Sequence, residues 1–204
     1  ASDVYKRQEY TKDSKIMEVT IKVGGNPAQP DGEWSYMAPF SPTDVIEEYT
    51  RPARIIENEE LKIVDALTDL HQITVNNYGK MEAFLTDGLR SLLDSKMATN
   101  MREYTVRWPG HIKKWLATKD SVSDDELIEA WKFDQTVDEF TWMEIRITYR
   151  DYQVVWEVSD SGKDRASSMA RTTGLVTLAC AVELLKSYGS GFAKFKAGVL
   201  APED

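Results

Sequence analysis

Cysteine is almost absent from this chain: Cys180 is the only one in 204 residues. An intramolecular disulfide is therefore impossible, a four-cysteine zinc site is excluded, and a reducing compartment fits. Histidine is nearly as scarce. His71 and His111 lie far apart with no H-x-x-x-H spacing, so no metal is expected. No apolar run approaches the roughly 20 residues a membrane span needs, and the N-terminus lacks the apolar centre of a signal peptide. Positive charge is also short. The 25 Lys and Arg against 34 Asp and Glu leave a net charge of −9, which disfavours nucleic acid as a partner. No G-x-G-x-x-G follows a strand, so the chain gives no sign of a dinucleotide fold of its own. These absences leave a cytoplasmic protein without nucleic-acid or membrane partners as the expectation.

What is present is enough for one domain with a real core, at 42% hydrophobic and 29% charged residues. The first eight residues, ASDVYKRQ, look foreign, because DVYKRQ resembles a translated transposon end. The expectation is a non-native tail over 1–8, a gene truncated upstream, and a domain over 9–204.

Apolar and polar residues alternate over 16–23, which predicts a strand, with Gly24-Gly25-Asn26-Pro27 as its stop. A Pro- and Gly-rich loop follows to Phe40. Ser41 as cap and Pro42 at the first position predict a short helix through Glu48. Residues 51–56, 61–64 and 71–75 read as strands. Apolar residues at 81, 84, 85, 89, 92 and 93 have a helical period, interrupted by Gly88 at a cost of about 1 kcal/mol. A strand over 101–108 stops at Pro109-Gly110, and a helix follows over 111–118. Ser123 and Glu126 form a capping box for a helix to Phe133. Residues 140–150 and 152–159 form a hairpin, and the last helix is expected over 167–188, stopped by Gly189 to Gly191. Strands and helices mix without βαβ alternation. The predicted class is α+β: a mixed, mostly antiparallel sheet with helices on one face.

Arginines at turns are the first candidates for chemistry, since a guanidinium fork matches a carboxylate. They are Arg51, Arg54, Arg90 and Arg171. On a continuous strand Arg51 and Arg54 would point to opposite faces, unless Pro52 breaks it. Asp87, in Thr86-Asp87-Gly88-Leu89-Arg90, either pairs with an arginine in a packing notch or meets a substrate amine. His111 opens a helix after Pro109-Gly110, where free N–H groups attract anions, and its imidazole is the natural base or polar contact. Thr172-Thr173-Gly174 is a poor helix interior, which suggests hydroxyl contacts to a carboxylate or packing against another domain. His71 reads as structural, and Cys180, in LVTLACAVELL, as a small buried hydrophobe.

Five segments in fixed order carry a resemblance: TRPARI (50–55), GKMEAFLTDGLRSLL (79–93), RWPGH (107–111), MARTTG (169–174) and GVLAPED (198–204). Together they resemble the C-terminal catalytic domain of the saccharopine dehydrogenase-like family, closest to its lysine 6-dehydrogenase branch. The resemblance implies the substrate half of an oxidoreductase acting on a carbon–nitrogen bond of an amino acid. It implies NAD or NADP as cofactor, bound mainly by a Rossmann domain outside this chain, and a homodimer. On it, His111 and Asp87 are the candidate catalytic residues. Arg51, Arg54, Arg90, Arg171, Thr172 and Thr173 are the candidate substrate-binding residues. The resemblance further implies that saccharopine-forming members use an arginine in the segment that here reads Phe40-Ser41-Pro42-Thr43-Asp44-Val45. Its absence favours a simpler amine or amino acid, with saccharopine reduction, or a non-catalytic ligand-binding or assembly module, as alternatives.

Overall fold

A computed structural model describes residues 15–162 and 166–187. The proposed tail, the Gly189 to Gly191 stop and the GVLAPED close lie outside the described residues. Among the described residues there are eight strands: β1 Ile16–Pro27, β2 Ala53–Glu57, β3 Glu60–Val64, β4 His71–Val75, β5 Gly79–Leu85, β6 Ala98–Arg107, β7 Glu139–Thr148 and β8 Gln153–Ser161. The helices are α1 Pro42–Thr50, α2 His111–Thr118, α3 Asp124–Ala130 and α4 Ser168–Ser187, with a 3-10 turn at Arg90–Ser95.

The strands form one sheet in the order β3-β2-β6-β1-β7-β8. The β4–β5 hairpin joins the β6 edge beside β2, through Glu82↔Arg107 to Leu85↔Tyr104. Only β1 and β6 run parallel among the described pairs; the rest are antiparallel. The sheet is therefore mixed and mostly antiparallel, as the sequence pattern predicts.

The helices gather on one face. Val23 of β1 pairs with Thr105 of β6 and Met143 of β7, so those side chains share a face. Glu48 and Tyr49 of α1 meet Thr105 and Arg107 there, and Ser168 of α4 meets Thr141. Helices α1 to α3 enclose an aromatic core around Trp131, which is fully buried among Trp34, Tyr36, Tyr49, Phe84 and Trp115. Trp34 and Tyr36 meet the Trp131 ring edge-on at 5.4 and 5.7 Å. Such pairs add about 0.5–1.5 kcal/mol each beyond the area they bury. On the opposite face the β4–β5 hairpin curls back over the sheet. Tyr78 stacks on Phe140, Asn76 donates to Glu157, and a second core forms around Met81, Ala83, Leu85, Tyr104, Val106 and Trp142.

Four expectations need correction. The helix predicted over 81–93 is the strand β5 followed by a turn. Met81, Ala83 and Leu85 face the second core while Phe84 faces the first, so burial on both faces imitates a helical period. Gly24 to Pro27 do not stop β1. The strand continues because Gly24 passes against β6, where an added Cβ would lie 2.3 Å from the Val106 oxygen. Ser41 occupies the N-cap of α1 without a side-chain capping bond, whereas Ser123 and Glu126 make both bonds of their box. Cys180 is only half-buried, and Leu175, Val176 and Leu178 of the same run are exposed among the described residues.

Candidate functional site: an arginine cradle and a buried polar stripe

Pro52 separates α1 from β2, and this break decides the site. Arg51 is the C-cap of α1 and Arg54 is the second residue of β2, so the two side chains are not forced to opposite faces. Both reach Asp87. Arg54 donates from Nε to Oδ1 and from Nη2 to Oδ2, each at 2.8 Å, and its backbone N–H adds a bond at 3.2 Å. Arg51 Nε lies 3.3 Å from Oδ2 but is misaligned for a hydrogen bond, so that contact is an ion pair. Arg90 Nη1 lies 3.7 Å from the same oxygen. Arg90 has φ +48°, left-handed backbone that costs a residue with a Cβ roughly 1 kcal/mol. The Asp87 side chain is 2% exposed, against 36%, 40% and 58% for Arg51, Arg54 and Arg90. One buried carboxylate thus gathers three guanidinium groups that keep open surface. Glu47, 4.0 Å from Arg51, is a nearby acidic neighbour. Burial raises the Asp87 carboxyl, but the Arg54 bonds and charge, with Arg51, outweigh it and hold it below the usual carboxylate range.

Asp87 stands on the turn Thr86-Asp87-Gly88-Leu89, which is clamped from beneath. The buried Glu103 carboxyl accepts from the Gly88 N–H, and Thr86 Oγ1 lies 2.6 Å from Glu103 Oε2. An added Cβ on Gly88 would sit 2.3 Å from Glu103 Cδ, so the close approach requires glycine. Glu103 is one of three polar residues, with Thr105 and Arg107, on the helix-side face of β6. Tyr104, Val106 and Trp108 occupy the other face.

Arg107 is 3% exposed and sits in an aromatic chamber. Its guanidinium carbon lies 4.5 Å over the Tyr36 ring, and Nε donates to the Tyr49 hydroxyl at 2.8 Å. Tyr49 in turn lies 3.0 Å from His111 Nε2, and His111 Nδ1 lies 3.0 Å from the Trp34 carbonyl oxygen. A carbonyl only accepts, so Nδ1 carries the proton. Nε2 is then the acceptor for Tyr49, which accepts from Arg107. Every role is satisfied by a neutral ring. Burial, reinforced by Arg107, pushes the His111 pKa down to about 3. His111 therefore opens α2 as expected, but inside the core, 2% exposed and with both nitrogens engaged.

The other candidates lie elsewhere. Arg171 binds Asp160 of β8 at 2.8 and 3.2 Å, on α4, which packs on β7 and β8. Strands β6, β1 and β7 separate β8 from Arg54 on β2. Thr172 bonds back to the Ser168 carbonyl within the helix, Thr173 is exposed, and Gly174 faces open space among the described residues. A cleft of about 430 Å³ lies among Tyr78, Phe133, Glu139, Gly162 and Ser167, and no cradle arginine lines it. Sequence reasoning missed Glu103, Thr105, Arg107 and Glu48. For the three on β6 the signal was the polar alternation E-x-T-x-R within an apolar strand; Glu48, on α1, carried none.

The described residues thus form a mixed-sheet α+β domain with helices on one face and a cationic cradle at the edge of β2. The family model described as "Saccharopine dehydrogenase C-terminal domain" matches residues 3–204, and the chain belongs to that family. The fold is similar to that of the apo histidine-tagged saccharopine dehydrogenase (L-Glu forming) from Saccharomyces cerevisiae. The TM-score is 0.64 at 15% sequence identity, over 95% of this chain and 63% of that one. The chain thus spans less than two thirds of that enzyme's length.

Proposed function

We propose that this chain is the substrate half of an NAD(P)-dependent oxidoreductase acting on the CH–NH bond of an amino acid, with lysine 6-dehydrogenase as its closest activity. The observation that carries the reading is the convergence of Arg51, Arg54 and Arg90 on Asp87. Their open guanidinium edges suit the carboxylate of an amino acid. Asp87 serves as the organiser of the cradle; a carboxylate held by three arginines is a poor base. His111 is a positioning residue that holds Tyr49 against Arg107. Arg171, Thr172 and Thr173 lie on the α4 surface, where they meet substrate or the cofactor domain.

Among the described residues, the starts of α1, α2 and α3 do not fit a dinucleotide. Helix α1 follows a loop, α2 follows Pro109-Gly110 and α3 follows a serine cap, so none opens from a Gly-rich turn. In this reading NAD or NADP is held by a Rossmann domain elsewhere in the parent protein, which works in the cytoplasm as a homodimer.

The test is steady-state turnover of the parent protein with lysine or saccharopine and either nicotinamide cofactor. Lysine should be preferred. Arg54→Ala should raise KM for the amino acid about tenfold to a hundredfold, the loss of one charged hydrogen bond. No turnover of either amino acid would defeat the reading in favour of a ligand-binding module. Preference for saccharopine would move the protein to the saccharopine branch.

A further inference from the structure

A chain of four oxygen-bearing side chains crosses the helix-side face of β6. Glu103 Oε2 lies 2.6 Å from Thr86 Oγ1, which lies 2.8 Å from Thr105 Oγ1, which lies 2.5 Å from Glu48 Oε1. Three hydrogen bonds need three protons, and the two threonine hydroxyls supply two. If both carboxyls were ionised, Thr86 would donate to Glu103 and Thr105 to Glu48. The contact between the hydroxyls would then hold no proton at 2.8 Å, two lone pairs facing each other in a buried site. We infer that Glu48 and Glu103 hold a single proton between them, relayed through the hydroxyls of Thr105 and Thr86.

The resting place of that proton follows from the surroundings. Glu103 is 4% exposed. Glu48 is 19% exposed and has Arg107 Nη2 at 4.0 Å, so the negative charge is better kept at Glu48. The same burial, together with the Glu48 charge, lifts the Glu103 carboxyl to about 7 against the hydrogen bonds from Thr86 and Gly88. With the proton at rest, Glu103 donates to Thr86, Thr86 to Thr105 and Thr105 to Glu48. In one shift the Glu103 O–H bond breaks as a new Thr86 O–H bond forms. The old Thr86 proton passes to Thr105, and the old Thr105 proton to Glu48. Both threonines end neutral and one proton has moved from the buried end to the solvent end.

The charged groups facing Glu103 are Glu48 from α1 and Arg107 from β6 itself. Beyond Gly88 stands Asp87, with Arg51, Arg54 and Arg90. Loss of the shared proton therefore places a negative charge directly beneath the cradle turn, which gives the cradle's hold on an anion a dependence on pH around neutrality. The relay is complete within this chain; its effect on an anion rests on the cradle reading above, and the test below follows the relay alone.

Isotope-labelled glutamate carboxyl NMR of the whole chain tests it. The Glu103 signal is identified by its loss in Glu103→Gln. It should titrate near pH 7 in the wild type. In Glu48→Gln the amide donates to Thr105, both hydroxyl protons then point toward Glu103, and its ionised form is satisfied. The midpoint should fall by about one pH unit or more, a tenfold loss of proton affinity. Thr105→Val should lower it likewise by freeing Thr86 to donate, and Thr105→Ser, which keeps the hydroxyl, should leave it in place. A midpoint unmoved by both Glu48→Gln and Thr105→Val would overturn the relay. So would a wild-type Glu103 that titrates in the ordinary carboxylate range.

Discussion

At Asp87 a single carboxylate keeps three guanidinium groups in register, and the contacts are unequal. Arg54 makes two aligned bonds at 2.8 Å, whereas Arg90 makes one contact at 3.7 Å from a side chain 58% exposed. Asp87→Asn keeps the shape and removes the charge, leaving the arginines to repel one another. The loss expected in urea unfolding at neutral pH is about 1–3 kcal/mol, the range for a buried charged partner. Arg90→Ala should stay within about 0.5 kcal/mol, as exposed pairs do. The pH sign follows from the lowered Asp87 carboxyl. Its contribution is full above the ordinary carboxylate range and is lost as pH falls through the native value. The gap between wild type and Asp87→Asn should therefore close on acidification. A gap that widened would mean that Asp87 does not hold the arginines as a carboxylate.

At the scale of the element, the turn from Thr86 to Leu89 sets the cradle, and Gly88 is its tightest point. Gly88→Ala would press a methyl onto the Glu103 carboxyl, which is fixed on its other side by Thr86. The expected cost is about 1–3 kcal/mol, read as a fall in Tm, with Asp87 displaced from Arg54. An unchanged Tm would show that the carboxyl moves aside freely. This turn also marks where the sequence misleads. Hairpin β7–β8 and the box at Ser123 were legible because one face alternates or one local bond pair suffices. Residues 81–93 were not, because β5 is covered on both faces and a two-sided strand shows the same apolar spacing as a helix. The arginines at 51, 54 and 90 and Asp87 were legible as residue types at turns. Their meeting was not, since it depends on how Pro52 redirects the chain and on pairing between β5 and β6. The stripe of Glu103, Thr105 and Arg107 was visible as alternation, yet only the covering helix α1 gives it partners.

For the whole molecule, two buried groups pull its stability in opposite directions with pH. His111 stays neutral in the native chain down to about pH 3, from an ordinary value of 6.5. Below 6.5 the unfolded chain takes a proton that the native chain refuses, so stability falls by about 1.4 kcal/mol per pH unit. Glu103 does the reverse. Its native carboxyl holds a proton up to about 7, from an ordinary 4.5, so across that interval stability rises by about the same amount per unit as pH falls. Between pH 4.5 and 6.5 the two slopes cancel, and below 4.5 only His111 and the lowered carboxyls remain, all of them destabilising. Glu103→Gln removes one side of the balance, because the amide stays neutral at every pH. Urea unfolding of wild type should be nearly flat across that interval, while Glu103→Gln should lose about 3 kcal/mol over the same two units. Equal slopes for the two proteins would show that Glu103 carries no extra native proton, and the shared proton on β6 would fall with it.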